Sequence, residues 1–208
     1  MKVLLINGSP KAKGCTYTAL CEVAKSLENE NIETEIFHVG NKPIRGCMAC
    51  GGCFKEGSGK CVFDDDTVNI ALEKAKSADG FIFGSPVHYA AASGQITSFL
   101  DRFFYAGNSF QYKLGAAVVS CRRGGATATF EQLNKYFTIS NMPIVSSQYW
   151  NMVHGNNPEE VKQDLEGMQT MRTLGKNMAW LLKSIQAGKE AGITLPEKEQ
   201  RAVTNFIR

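Results

Sequence analysis

The sequence predicts an α/β fold, a parallel sheet of five strands with helices on both faces, and three observations predict it. Short apolar runs bounded by turn residues recur along the chain, as buried parallel strands require. Between them lie segments whose apolar residues repeat at helical spacing. The two patterns alternate five times, which is the signature of strand–helix–strand units.

Residues 2–7 are an apolar run that ends in a Gly-Ser-Pro turn, and read as the first strand. Residues 16–29 follow as a helix, with Ala19, Val23, Ala24 and Leu27 on one face. Residues 33–39 alternate well enough for a second strand, and residues 40–61 form a Gly- and Cys-rich loop without apolar period. Asp66 is the expected N-cap of a helix reaching about residue 77, with Val68, Ala71, Leu72 and Ala75 inward. A third strand spans residues 80–84 and is expected to stop at Ser85-Pro86. A helix over 95–105, a fourth strand over 114–120, a helix over 126–137 and a short fifth strand over 143–147 complete the sheet. The last helix covers 158–187, with a break expected near Gly167 or Gly175 and its methionines filling the core. The chain therefore reads as one domain over 1–187, with the Cys-rich loop 46–61 inside it and a polar tail over 188–208 that packs on a partner subunit or frays.

A chain of 208 residues suits one α/β domain with a well-buried core. Its hydrophobic and charged fractions, 43% and 21%, exclude disordered and collagen-like classes. No run of about 18 apolar residues exists to span a membrane. Val3-Leu4-Leu5-Ile6 is too short for a signal peptide, so a soluble cytoplasmic protein is expected. The net charge of +3 is spread among acids and leaves no nucleic-acid footprint.

In open α/β sheets ligands sit beyond the carboxyl ends of the strands, at the switch point of strand order. The loop Gly8-Ser9-Pro10-Lys11-Ala12-Lys13-Gly14-Cys15-Thr16 stands there. Its glycines and small hydroxyl residues let backbone N–H groups converge on an anion at a helix start, with Ser9, Thr16 and Lys11 adding donors and charge. The loop matches neither the triphosphate nor the dinucleotide glycine pattern, and by itself it also fits a plain strand-to-helix turn. A second loop, Ser85-Pro86-Val87-His88-Tyr89, carries a Pro-fixed aromatic segment able to wall a planar ring, before Ser93-Gly94-Gln95 opens a helix. The third, Ser120-Cys121-Arg122-Arg123-Gly124-Gly125, offers charge and N–H groups of the kind that stabilise a reduced, anionic flavin.

Together Gly8-Ser9-Pro10-Lys11, Gly14-Cys15-Thr16, Ser85-Pro86-Val87-His88-Tyr89 and Ser93-Gly94-Gln95 resemble the NADPH-dependent FMN reductase family over roughly residues 1–150. The resemblance implies a flavodoxin-like three-layer sandwich with strand order 2-1-3-4-5, non-covalent FMN, NAD(P)H as co-substrate and a homodimer or homotetramer. By matching position, Ser9, Lys11, Cys15, Thr16 and Tyr17 would cradle the phosphate. Pro86, Val87, His88 and Tyr89 would line the ring, mostly through backbone groups, with Gly124 and Gly125 at its rim. Family members often carry Asn where this chain has Cys15, so that side-chain contact is a departure and its N–H remains. His88 either shuttles a proton at the flavin edge or faces solvent. No residue need act as nucleophile or base, because the chemistry is the flavin's.

Seven cysteines are many for a chain without a secretory signal, and four fall within fifteen residues: Cys47, Cys50, Cys53 and Cys61. Thiolates two residues apart can bend around one metal centre, with Gly46, Gly51, Gly52, Gly57 and Gly59 as permissive backbone. A [4Fe–4S] cluster, a tetrahedral zinc ion and metal-free redox thiols all fit the spacing. The pattern is similar to that of the iron–sulfur flavoproteins, which implies a cluster passing single electrons to FMN. Asp64-Asp65-Asp66 reads as a helix cap rather than a hard-cation site. Tyr149, Trp150 and His154 read as subunit or core packing, or as a cap over a neighbouring subunit's flavin.

The expected function is an NAD(P)H-dependent FMN reductase-type oxidoreductase, fed by NAD(P)H or a ferredoxin-like donor and reducing a small-molecule or protein acceptor. The other classes are a flavodoxin-like electron carrier, which the slightly basic charge disfavours, and a cysteine-based redox or metal sensor.

Overall fold

The computed structural model describes residues 1–55, 59–107, 110–200 and 202–207. Its elements run β1 (Lys2–Asn7), α1 (Cys15–Glu28), β2 (Glu33–His38), α2 (Gly52–Lys55), α3 (Val68–Ala75), β3 (Gly80–His88) and β4 (Ala91–Ala92). They continue through α4 (Gly94–Ala106), β5 (Leu114–Cys121), α5 (Ala126–Ile139), β6 (Met152–His154), α6 (Pro158–Gln163) and α7 (Leu165–Glu190). The sheet is ordered β2-β1-β3-β5-β6 with every neighbour parallel, and β4 folds back antiparallel on β3. Counting the parallel strands alone, this is the expected 2-1-3-4-5 order, a flavodoxin-like sheet whose switch point lies between β1 and β3.

The central strands are apolar at nearly every position because both faces are covered. Val3, Leu5, Ile82, Ala116 and Val118 face a core built with α1 and α7, while Leu4, Ile6, Phe81, Phe83, Ala117 and Val119 face one built with α3, α4 and α5. Phe81, Phe83, Phe99, Phe103 and Phe137 are fully buried in the second layer, each worth about 1.5–3 kcal/mol relative to exposure. Met171 and Met178 of α7 are fully buried in the first, as expected of gap-filling methionines.

Three expectations are corrected. The third strand does not stop at Ser85-Pro86: Pro86 pairs in register with Ser120, and β3 runs on to His88. Proline's fixed φ suits an extended chain, and its missing donor matters little where the ladder is ending. The fifth strand is β6, not residues 143–147, which keep only an isolated bridge between Ile144 and Gly115. The edge strand is interrupted: Val145 pairs with Gly115 at one end of β5, the chain bulges outward at Tyr149 and Trp150, and Met152 rejoins opposite Val119. Three residues are too few to leave a periodic signal. The last helical stretch breaks at Asp164, whose Oδ1 accepts the Gly167 N–H at 2.9 Å as the cap of α7, so Gly167 and Gly175 lie inside that helix. α7 also continues to Glu190, three residues past the expected end, and of the tail Arg201 and Arg208 lie outside the described residues. Among the described residues no helix is long and apolar enough to cross a membrane.

Candidate functional site

The first loop is shaped by a side chain that carries no functional signal in the sequence. Asn7, the buried last residue of β1, accepts the Ser9 N–H on Oδ1 (3.1 Å) and donates from Nδ2 to the Ala12 carbonyl (3.1 Å). The Ser9 hydroxyl accepts the Lys11 N–H (3.2 Å), and the Nε2 of His38, at the end of β2, donates to the Ser9 carbonyl (2.8 Å). Gly14 caps α1 without a side chain, and no acidic residue stands in the first turn. The first-turn N–H groups of Cys15, Thr16 and Tyr17 therefore have no intrahelical acceptor and sum with the helix dipole into a positive potential at that end. Lys11 is exposed beside it. The Thr16 hydroxyl is buried and shares a 2.8 Å hydrogen bond with Ser120 at the end of β5. Burial pushes the Cys15 thiol up, and it donates to the Gly155 carbonyl at 3.6 Å. Cys21, one turn on, raises the Tyr17 phenol above its usual range.

Hydroxyl bonds lock the second loop to the first. Ser93, the N-cap of α4, donates to the Gly8 carbonyl (2.9 Å), and its own N–H donates to Ser85 Oγ (3.0 Å). The expected ring-lining segment is a hairpin: Val87 pairs with Ala92 and His88 with Ala91, joined by Tyr89 and Ala90 at φ +49° and +60°. Two left-handed residues in a two-residue connection are the geometry of a type I′ turn. Pro86 and Val87 are half-buried, while His88 and Tyr89 are exposed on the outer end. The third loop closes on this hairpin. Gly125 sits at φ +90°, and a Cβ there would lie 2.6 Å from Ala90 Cα, so only glycine lets the two loops meet. Gly124 is exposed with open space around it, and burial pushes the neighbouring Cys121 thiol up.

Cys47, Cys50, Cys53 and Cys61 line one cavity of about 80 Å³, walled by apolar side chains that include Met48, Phe54, Val62 and Phe63. Gly51 takes φ +69° to turn the chain there, while Gly57 lies outside the described residues. Cys47 and Cys50 are exposed, and Cys53 and Cys61 half-buried. Burial pushes the Cys53 thiol up. Among the described residues, no three His, Cys, Asp or Glu side chains are gathered closely enough to hold one ion. Soft sulfur donors in an apolar wall suit a thiolate-bound iron–sulfur cluster far better than a hard cation.

The cavity floor holds a residue to which the sequence reading assigns no role. Arg102 of α4 is 1% exposed; its Nε donates to Cys61 Sγ (3.2 Å), Nη2 to the Phe63 carbonyl (3.1 Å), and Nη1 to the Arg45 carbonyl (3.3 Å) and to Asp66. Asn69 of α3 accepts the Cys61 N–H (2.8 Å) and donates to the Cys61 and Phe63 carbonyls (both 3.0 Å). The three aspartates are consumed locally: Asp66 pairs with Arg102 and accepts the Val68 N–H, Asp65 pairs with Arg45, and Asp64 accepts from Asn69. Tyr149 and Trp150 are half-exposed, edge to face at 4.9 Å, and line a separate cavity with His154. They take no part in the core.

The model of the NADPH-dependent FMN reductase family matches residues 1–157. An iron–sulfur flavoprotein of Methanocaldococcus jannaschii is 35% identical over 195 residues, covering 89% of this chain and 100% of that relative. Among solved structures, RosB with a bound intermediate superposes with a TM-score of 0.67 at 15% identity, covering 100% of this chain and 94% of RosB. A flavodoxin from the domain Archaea gives a TM-score of 0.60 at 15% identity, covering 88% of this chain and 99% of the other. At such identities the two structures speak to the flavodoxin-like fold alone. The matched segment carries all three strand-end loops and the four clustered cysteines, and the chain belongs to the NADPH-dependent FMN reductase family.

Proposed function

We propose that this FMN-dependent oxidoreductase takes electrons from NAD(P)H or a ferredoxin-like protein and delivers them to a small-molecule or protein acceptor. The observation that carries the reading is the meeting of three strand-end loops at the β1/β3 switch point, tied by the Thr16–Ser120 and Ser93–Gly8 hydrogen bonds and by the approach of Gly125 to Ala90. When bound, FMN supplies one- and two-electron carrier chemistry, and a [4Fe–4S] cluster on Cys47, Cys50, Cys53 and Cys61 supplies single electrons. The chain's own part is to bind and orient. Free first-turn N–H groups of Cys15, Thr16 and Tyr17, with Lys11 and the Ser9 loop, hold the phosphate. Pro86 and Val87 present backbone along the ring, with His88 and Tyr89 at the outer end of the hairpin. Gly124 and Gly125 bring N–H groups to the rim, where negative charge develops on reduction. The cluster reading is supported by the shared thiol-lined cavity and by the similarity to an iron–sulfur flavoprotein.

Anaerobic purification followed by absorbance, iron, zinc and sulfide analysis tests this reading. The expected product shows a flavin spectrum with about four iron and four sulfide per chain. Flavin with zinc, or with no metal, refutes the cluster. Steady-state NAD(P)H or reduced-ferredoxin oxidation with flavin and quinone acceptors tests turnover, and inactivity with every donor refutes the oxidoreductase.

A further inference from the structure

Among the contacts of the described residues, Cys61 is the one of the four cysteines whose main chain and sulfur are both held by helix side chains. Asn69 of α3 clamps its N–H and carbonyl, and Arg102 of α4 reaches its sulfur. Arg102 is nearly solvent-free at 1% exposure, and so is its partner Asp66 at 6%. Arginine is rarely fully buried unless it is paired. Here four of its five N–H donors have identified acceptors: the Asp66 carboxylate, the Phe63 and Arg45 carbonyls and the Cys61 sulfur. Asp66 and both carbonyls set the plane and height of the guanidinium, which leaves the Nε–H aimed at sulfur.

We propose that Arg102 is a positioning residue for a cluster on Cys47, Cys50, Cys53 and Cys61, fixing the Cys61 sulfur and setting the potential at which the cluster is reduced. The inference rests on the cluster reading above. N–H···S bonds and local positive charge are among the determinants of cluster potential, and they favour the more negatively charged reduced form. Outer partners of metal ligands also govern retention, at about 10–100-fold in affinity when removed.

The test uses the full chain, loaded anaerobically with ferrous iron and sulfide, and three variants. Arg102→Lys keeps a charge without the planar fork. Arg102→Met with Asp66→Asn removes both buried charges together, so no carboxylate is left unpaired in the interior. Arg45→Gln removes a nearby exposed cation whose guanidinium pairs with Asp65 and lies over the Phe63 ring. FMN content and the thermal melt report folding independently. The expected result is that the double variant keeps FMN, loses iron to a ferrous chelator at least about tenfold faster, and shows a more negative midpoint potential in an EPR titration. Arg102→Lys should fall between it and the wild type, and Arg45→Gln should match the wild type. Cluster-loaded Arg102 variants with wild-type retention and potential overturn the role of Arg102 alone. An FMN-bound, iron-free wild type overturns the cluster reading itself, and this inference with it.

Discussion

Gly125 is where a single residue decides whether the site can close. At φ +90° any side chain is strained, and a Cβ would press against Ala90 at the hairpin tip. Gly125→Ala should cost about 1–3 kcal/mol in a urea melt, and weaken FMN binding about tenfold or more in a fluorescence titration. Gly124→Ala, with open space around it, should leave both near wild type. Equal tolerance at the two positions would contradict loop closure through Gly125. The glycines of this loop are visible in the sequence, but which of them meets a neighbour is not, because the neighbour lies more than thirty residues away. His38 and Arg102 were illegible for a similar reason. Each is an ordinary polar residue at the end of a strand or within a helix, and acquires its role from a partner elsewhere in the chain.

At the scale of elements, side chains on both faces of the central strands made the apolar runs readable, and β1, β3 and β5 stood out in the sequence. The edge strands are harder to read. β2 is only half-buried, and is held by charge as well as by packing: Glu35 pairs with Lys74 of α3 at 2.6 Å and with Lys2 of β1 at 3.0 Å. The hydrogen bond from Lys74 holds the Glu35 carboxyl below its usual 4.5, against the opposing effect of burial. A depressed carboxylate stabilises the fold above its unfolded pKa and loses that contribution as pH falls through the folded one. Glu35→Gln should therefore cost about 0.5–1 kcal/mol at neutral pH. The gap from wild type should shrink as chemical denaturation is repeated at decreasing pH below 4.5. A gap independent of pH would show that the ion pairs do not anchor β2. β6 was missed because it is short and follows a bulge, so its pairing with Val119–Cys121 is a tertiary fact.

For the whole molecule, the ligand is part of the stability. The first-turn donors of α1, the β3–β4 hairpin and the Gly125 loop come from distant parts of the chain, so a ligand touching all three binds only the folded state. At a free concentration about one hundred times its Kd, FMN should add about 2.7 kcal/mol. For a chain of this length that raises the melting temperature by roughly 5–10 °C. Scanning calorimetry at graded FMN concentrations checks it, and a melting temperature indifferent to FMN would count against the phosphate loop as the binding site.

By itself the sequence determined the alternation of strands and helices, the anion-binding composition of the first loop, and the spacing of the four cysteines. These are local properties, written in periodicity, turn residues and short motifs that span a few neighbours. Only the tertiary structure decided that the second loop is a hairpin closed by Gly125, that the edge strand is β6, and that a buried arginine stands under Cys61. Those features are contacts between residues far apart in the chain. Their free energy exists only once the sheet has brought the partners together, so no local pattern has to record them.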